Sequence, residues 1–109
     1  MQRLAELAPE FVAEVETALL DNGHDVVAKQ VAIVLLREVS IDRTSHMGCI
    51  RVQHPELNED QYHKANESIS ELNFADPYWF HILLDVSDRI CGIEVSGRDE
   101  FLNKLALTK

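Results

Sequence analysis

The sequence predicts an α+β fold: a single antiparallel sheet with an N-terminal helix, a middle helix and a short C-terminal helix packed on it. An amphipathic stretch opens the chain, with Leu7, Phe11, Val15, Ala18 and Leu19 on one helical face. Two β-rich runs, Trp79 to Val86 and Arg89 to Val95, flank the polar pair Ser87–Asp88 and read as a hairpin. No repeat, low-complexity tract or linker interrupts the order, so residues 1–109 are expected to form one domain, long enough to bury a core without disulfides or a metal.

The first helix is expected from Pro9 to Asp21. Pro9 suits the first turn, where its missing N–H would have no partner, Glu10 faces the positive end of the helix dipole, and Asn22–Gly23 supplies a left-handed stop. Glu10 and Glu14 repel at i,i+4, a penalty of about 0.2–0.5 kcal/mol that burial of the opposite face offsets. Asp25 is placed to cap a short turn through Gln30.

In Val31 to Leu36, the longest apolar run, periodicity does not separate a buried strand from a buried helix. Ile33, Leu35, Val39 and Ile41 continue at even spacing around Arg37, which favours a strand from about Ile33 to Ile41 over a helix running on from Asp25. Thr44 to Gly48 reads as a turn, and Cys49 to Gln53 as a second strand, antiparallel to the first, with Ile50 and Val52 sharing a face. His54–Pro55 ends it, because proline lacks the ladder donor.

Asn58 with Gln61 follows the capping-box pattern, and Leu57 with Tyr62 sits at the positions of a hydrophobic staple. Tyr62, Ala65, Ile69 and Leu72 then recur at helical spacing, so the middle helix is expected from Glu59 to Leu72, closed by Asp76–Pro77. In the hairpin, Phe80, Ile82, Leu84 and Val86 fall on one face of the first run, and Cys91, Ile93 and Val95 on one face of the second, leaving Cys91 buried. Ser–Asp is not the Asn–Gly pair of a two-residue turn, so a longer loop taking in Val86 and Arg89 also fits. After Ser96–Gly97, Phe101, Leu102 and Leu105 define a terminal helix with Lys104 and Lys109 towards its end.

The run Leu7 to Leu20, together with Ile82 to Val86 and Ile90 to Val95, resembles small uncharacterised bacterial proteins of similar length. Those proteins often carry a cysteine cluster where this chain has Arg43 to Cys49, of which Cys49 alone remains. The resemblance implies a strand over Ser68 to Phe74, against the helical spacing there, and it implies no activity.

The net charge is −9, which disfavours nucleic acid and anionic membranes as partners and favours a basic protein. The acidity is blocked. Six acids and no Lys or Arg lie between Leu4 and Ala28, and eight acids against Lys64 alone between Glu56 and Asp88, whereas Lys29 to Pro55 carries four basic residues against two acidic ones. With no leader pattern and no membrane-length apolar run, a cytoplasmic protein is expected, and the two cysteines are expected as free thiols.

Tyr78, Trp79 and Phe80 are the main aromatic concentration. If Phe80 faces the core, alternation presents Trp79 among Asp76, Asp85 and Asp88, and with Glu59 and Asp60 these residues form the expected partner-binding set. His81 shares a face with Asp85, but strand residues four apart do not touch, so it reads as a structural or interface histidine. There is no Gly-rich phosphate loop and no nucleophile elbow. No cofactor, metal or catalytic residue is therefore expected.

The leading expectation is a small acidic protein-interaction module rather than an enzyme, in its specific form an immunity- or antitoxin-type inhibitor covering the basic site of a toxic nuclease or similar partner. The alternative is a small-ligand or metal-binding protein, or a minor enzyme, built on His46, Cys49, His54 and His63, whose spacing matches no short zinc motif.

Overall fold

The computed structural model describes residues 2–57, 65, 67–73 and 79–108. In them, four helices lie against one face of a five-stranded antiparallel sheet, which is the expected α+β architecture.

Helix α1, Leu4–Leu7, is a single turn, and α2, Pro9–Asp21, has the bounds that its proline and its Asn–Gly stop predict. Gly23 takes φ +80°, and the N–H of His24 donates to the Leu19 carbonyl at 2.8 Å, closing the last turn. Phe11, Val12, Val15 and Leu19 are buried on the face their spacing defines. The residues before α1 guard an edge of the sheet. The Leu4 N–H donates to the Val34 carbonyl at 3.0 Å and the Leu36 N–H to the Gln2 carbonyl at 2.8 Å, so the start of the outermost strand is not left unpaired. Asp25 opens a true helix, α3, Asp25–Val31.

The strands are β1 (Leu35–Asp42), β2 (Met47–Gln53), β3 (Glu67–Asn73), β4 (Trp79–Leu84) and β5 (Ile90–Ser96), in the spatial order β1-β2-β5-β4-β3. A β1–β2 hairpin and a β3–β4–β5 meander become one sheet when β2 pairs with β5, setting Ile50 opposite Ile93. Helix α4, Asp99–Thr108, packs over β1 and β2. Leu102 of α4 occupies the space where a side chain on Gly48 would stand, which is why that strand position carries none. Phe80, Ile82, Ile50, Ile93 and Val95 are fully buried beneath the helices with Leu19, Val31 and Leu102.

Three expectations fail for one physical reason. In β1 the register slips at Arg37, in β5 at Cys91 and in β3 between Ile69 and Leu72, each slip adding a residue that has no partner on the neighbouring strand. A bulge turns a same-face spacing of two into three. Leu36 and Val39, rather than Leu35 and Val39, therefore pack towards the core, and Ile33 lies in the turn before the strand. Ile90 joins Ile93 and Val95 in the core, while Cys91, the extra residue, is only half-buried.

The expected middle helix is corrected in its second half: residues 67–73 form β3, in line with the strand implied by the bacterial resemblance, and 58–64 and 66 lie outside the described residues. Ile69 stands opposite Ile82 and Leu72 opposite Phe80, so the three-residue spacing that looked helical is the mark of the bulge. Val86 is corrected too: β4 ends at Leu84 and Val86 is an exposed loop residue. Among the described residues no helix is long and apolar enough to cross a membrane.

Candidate functional site

The helices bury one face of the sheet, and alternation sends Trp79, His81 and Leu83 of β4 to the other. Register sets Ser96, Glu94 and Gly92 of β5 opposite them, and Met47, Cys49 and Arg51 of β2 opposite those. Among the described residues no helix covers this face.

At the end of this face where β4 begins, the indole of Trp79 stacks on the imidazole of His81, with ring centroids 4.4 Å apart and planes 28° apart. His81 Nδ1 lies 3.7 Å from Glu94 Oε1, with both side chains about two-thirds buried. Arg51 Nε lies 3.3 Å from Glu38 Oε1 in a more exposed pair. Leu83 leans over Gly92, where an added Cβ would stand 3.1 Å from its Cδ1 and 3.6 Å from Cys49 Sγ. The result is an aromatic and aliphatic strip flanked by carboxylates.

The thiols on this side of the sheet are poor nucleophiles. Burial, and then the Glu94 carboxylate, push Cys49 above the ordinary thiol range. Burial followed by the charge of Asp85 pushes Cys91 up to about 11, and its Sγ donates to the Leu83 carbonyl at 3.5 Å. Both cysteines are free, and neither is held as the thiolate that nucleophilic chemistry needs.

The residues singled out from sequence are distributed as follows. Trp79 lies on the open face as expected, but Asp85 and Asp88 sit beyond the far end of β4, at least about 17 Å along the strand from it. Asp85 is buried at 4 % exposure. Its Oδ1 accepts the N–H groups of Ser87 at 2.8 Å and Arg89 at 2.9 Å, so its carboxylate is turned into the β4–β5 loop rather than towards a partner. Asp88, exposed, takes φ +59° in the same loop. It faces Glu67, whose carboxyl is raised by a hydrogen bond to Asp88 and by its charge. Glu59, Asp60, Asp76 and His63 lie outside the described residues.

The alternative metal set is not assembled by its described members. His46 occupies the β1–β2 turn at φ +56°, with Nδ1 3.1 Å from Asp99 Oδ2. His54 follows the opposite end of β2, is buried rather than solvated, and accepts the Glu56 N–H at Nδ1. Cys49 faces the open side between them. Among the described residues no three His, Cys, Asp or Glu side chains converge to hold a metal ion. Elsewhere, a groove of about 340 Å³ runs between α2 and α4 past Leu7, Phe11 and Phe101. The stacked Phe11 and Phe101 rings line it, and Arg98 at its rim is 3.0 Å from Glu14.

Sequence reasoning missed Glu94, the carboxylate that accompanies His81. Alternation along β5 carried the signal, since Glu94 separates the core residues Ile93 and Val95, but its position opposite His81 depends on the hairpin register. No family model, curated protein or solved structure shows significant similarity to the chain, so the bacterial resemblance carries no family assignment.

Proposed function

We propose that the protein is a small acidic interaction module that docks a basic protein partner on the open face of its sheet, with Trp79 as the anchor. One observation carries this reading: a half-buried tryptophan stacked on a histidine, on a sheet face without a helix over it among the described residues, with Glu94 beside it. Large aromatics with adaptable polar neighbours are typical of interface hot spots. A net charge of −9 supplies the long-range attraction that speeds encounter with a basic protein. The raised thiols favour binding over cysteine chemistry. An inhibitor of the immunity or antitoxin kind, neutralising the basic site of a toxic partner, is the specific form this reading takes.

The test is capture at low salt on immobilised protein, comparing the parent with Trp79→Ala and with Glu59→Lys/Asp60→Lys. The reading expects a basic protein that the parent retains, that salt releases, and that Trp79→Ala loses through faster dissociation, at a cost on the order of 2 kcal/mol. Equal retention by Trp79→Ala removes the open face from the reading, and loss only on Glu10→Lys/Glu14→Lys moves the docking surface to α2.

A further inference from the structure

The histidine beside Trp79 on the open face is placed to do more than fill space. His81 has the Trp79 ring stacked on it at 4.4 Å and the Glu94 carboxylate at 3.7 Å, and its side chain remains 29 % exposed, so water and protons reach it. Both neighbours suit an imidazolium. An indole face attracts a cation through its quadrupole, and a carboxylate attracts it by charge.

The surrounding strands frame that one ionisable ring. On β4 its same-face neighbours Trp79 and Leu83 carry no charge. On β5 Glu94 stands directly opposite, between Gly92 and Ser96. One strand further, Cys49 pairs with Glu94, and Arg51 beyond it is engaged by Glu38 of β1. On the other side, the bulged pair Ser70–Glu71 of β3 holds the register position across from it. Glu94 thus stands between His81 on one neighbouring strand and Cys49 on the other, and after burial its charge is the next cause of the raised Cys49 thiol.

We infer that His81 is a proton-operated switch of the docking face. With the imidazole neutral, Glu94 and Trp79 present a carboxylate beside an aromatic ring, a site suited to a lysine or arginine side chain. With the imidazole protonated, its own cation occupies both attractions, cancels the carboxylate's charge and repels a basic partner. The switch rests on the open-face docking reading for its consequence, but its local event is observable without any partner.

Trp79 is the sole tryptophan, and an imidazolium stacked on an indole quenches its emission, so the protein reports its own switch. Emission of the folded parent should fall sigmoidally as pH drops from 8 to 5 with unchanged circular dichroism. The fall should be absent in His81→Gln and retained in His46→Gln, which removes an exposed turn histidine. A flat parent profile, or a transition that survives His81→Gln, overturns the switch. A lysine hexapeptide serves as the docking probe: the parent should bind it several-fold more weakly at pH 5 than at pH 8, and His81→Gln should lose most of that difference. Failure of the parent to bind the hexapeptide at either pH, with the emission transition intact, counts against the docking reading and leaves the proton switch standing. Equal pH dependence of peptide binding in parent and His81→Gln overturns the switch as a control on docking.

Discussion

Gln30 and Ile90 are 60 positions apart in the chain, and the Gln30 side-chain carbonyl accepts the Ile90 N–H at 2.9 Å. The same amide donates through Nε2 to the Asp88 carbonyl at 2.8 Å. One glutamine of α3 thus satisfies a donor and an acceptor of the β4–β5 loop where the ladder stops, and fixes α3 against the hairpin. Gln30→Ala should cost about 1–3 kcal/mol, because the N–H of fully buried Ile90 loses its acceptor. Gln30→Glu keeps that acceptor and loses the donation to Asp88, so it should fall between the two in urea midpoint.

Asp85 tests whether that loop is structural or a docking element. Asp85→Ala removes the acceptor of two loop N–H groups and should destabilise by about 2–3 kcal/mol, with Asp85→Asn milder because its side-chain oxygen still accepts. Chemical denaturation measures this directly. A stable Asp85→Ala variant with impaired partner capture would return Asp85 to the binding surface.

The two faces of β4 should respond unequally to truncation. Leu84→Ala opens a cavity in the core and should cost about 2–5 kcal/mol, whereas Leu83→Ala, on the open face, should cost clearly less. Glycines give the complementary test. Gly48→Ala drives a methyl into Leu102 and should destabilise by about 1–3 kcal/mol, while Gly92→Ala is tight only against the flexible tip of Leu83 at 3.1 Å, with Cys49 Sγ and the Ile50 carbonyl at ordinary contact distance, and should be milder. Urea midpoints of the four variants give the ranking, and inverted orders would mean that the faces have been exchanged.

The thiols predict a loss of stability at alkaline pH. An unfolded cysteine ionises near about pH 8.5, whereas folded Cys91 holds its proton up to about 11. Over that window the folded state binds more protons than the unfolded one, so stability falls as pH rises from the unfolded value through the folded one. Cys91→Ser should flatten this part of the stability profile, and alkylation of the native protein at neutral pH should be slow at both cysteines. Rapid native alkylation would contradict the protonated thiols.

The limits of α2 were legible because its signals are local: the apolar period of the helix, a proline in the first turn and an Asn–Gly stop act within a few residues of one another. The β4–β5 hairpin was legible for the same reason, down to the longer loop that Ser–Asp suggested. Trp79 was legible as an outward-facing aromatic once Phe80 was assigned to the core. The three bulges were not. An extra residue in a strand is defined only against the partner strand, and at Ile69 and Leu72 it produced the spacing of a helix.

By itself, therefore, the sequence determined the α+β class, the acidic charge, the first helix, the antiparallel hairpins and the alternation that turns Trp79 outward, all of which follow from backbone preference and apolar period within short stretches. Only the tertiary structure decided that β2 joins β5, that Glu94 stands beside His81, that Asp85 turns inward and that Gln30 holds the far loop. Those relationships pair groups distant in the chain, and they are chosen by which arrangement buries the apolar face while leaving the fewest N–H and C=O groups unpaired, a condition that no short stretch of sequence contains.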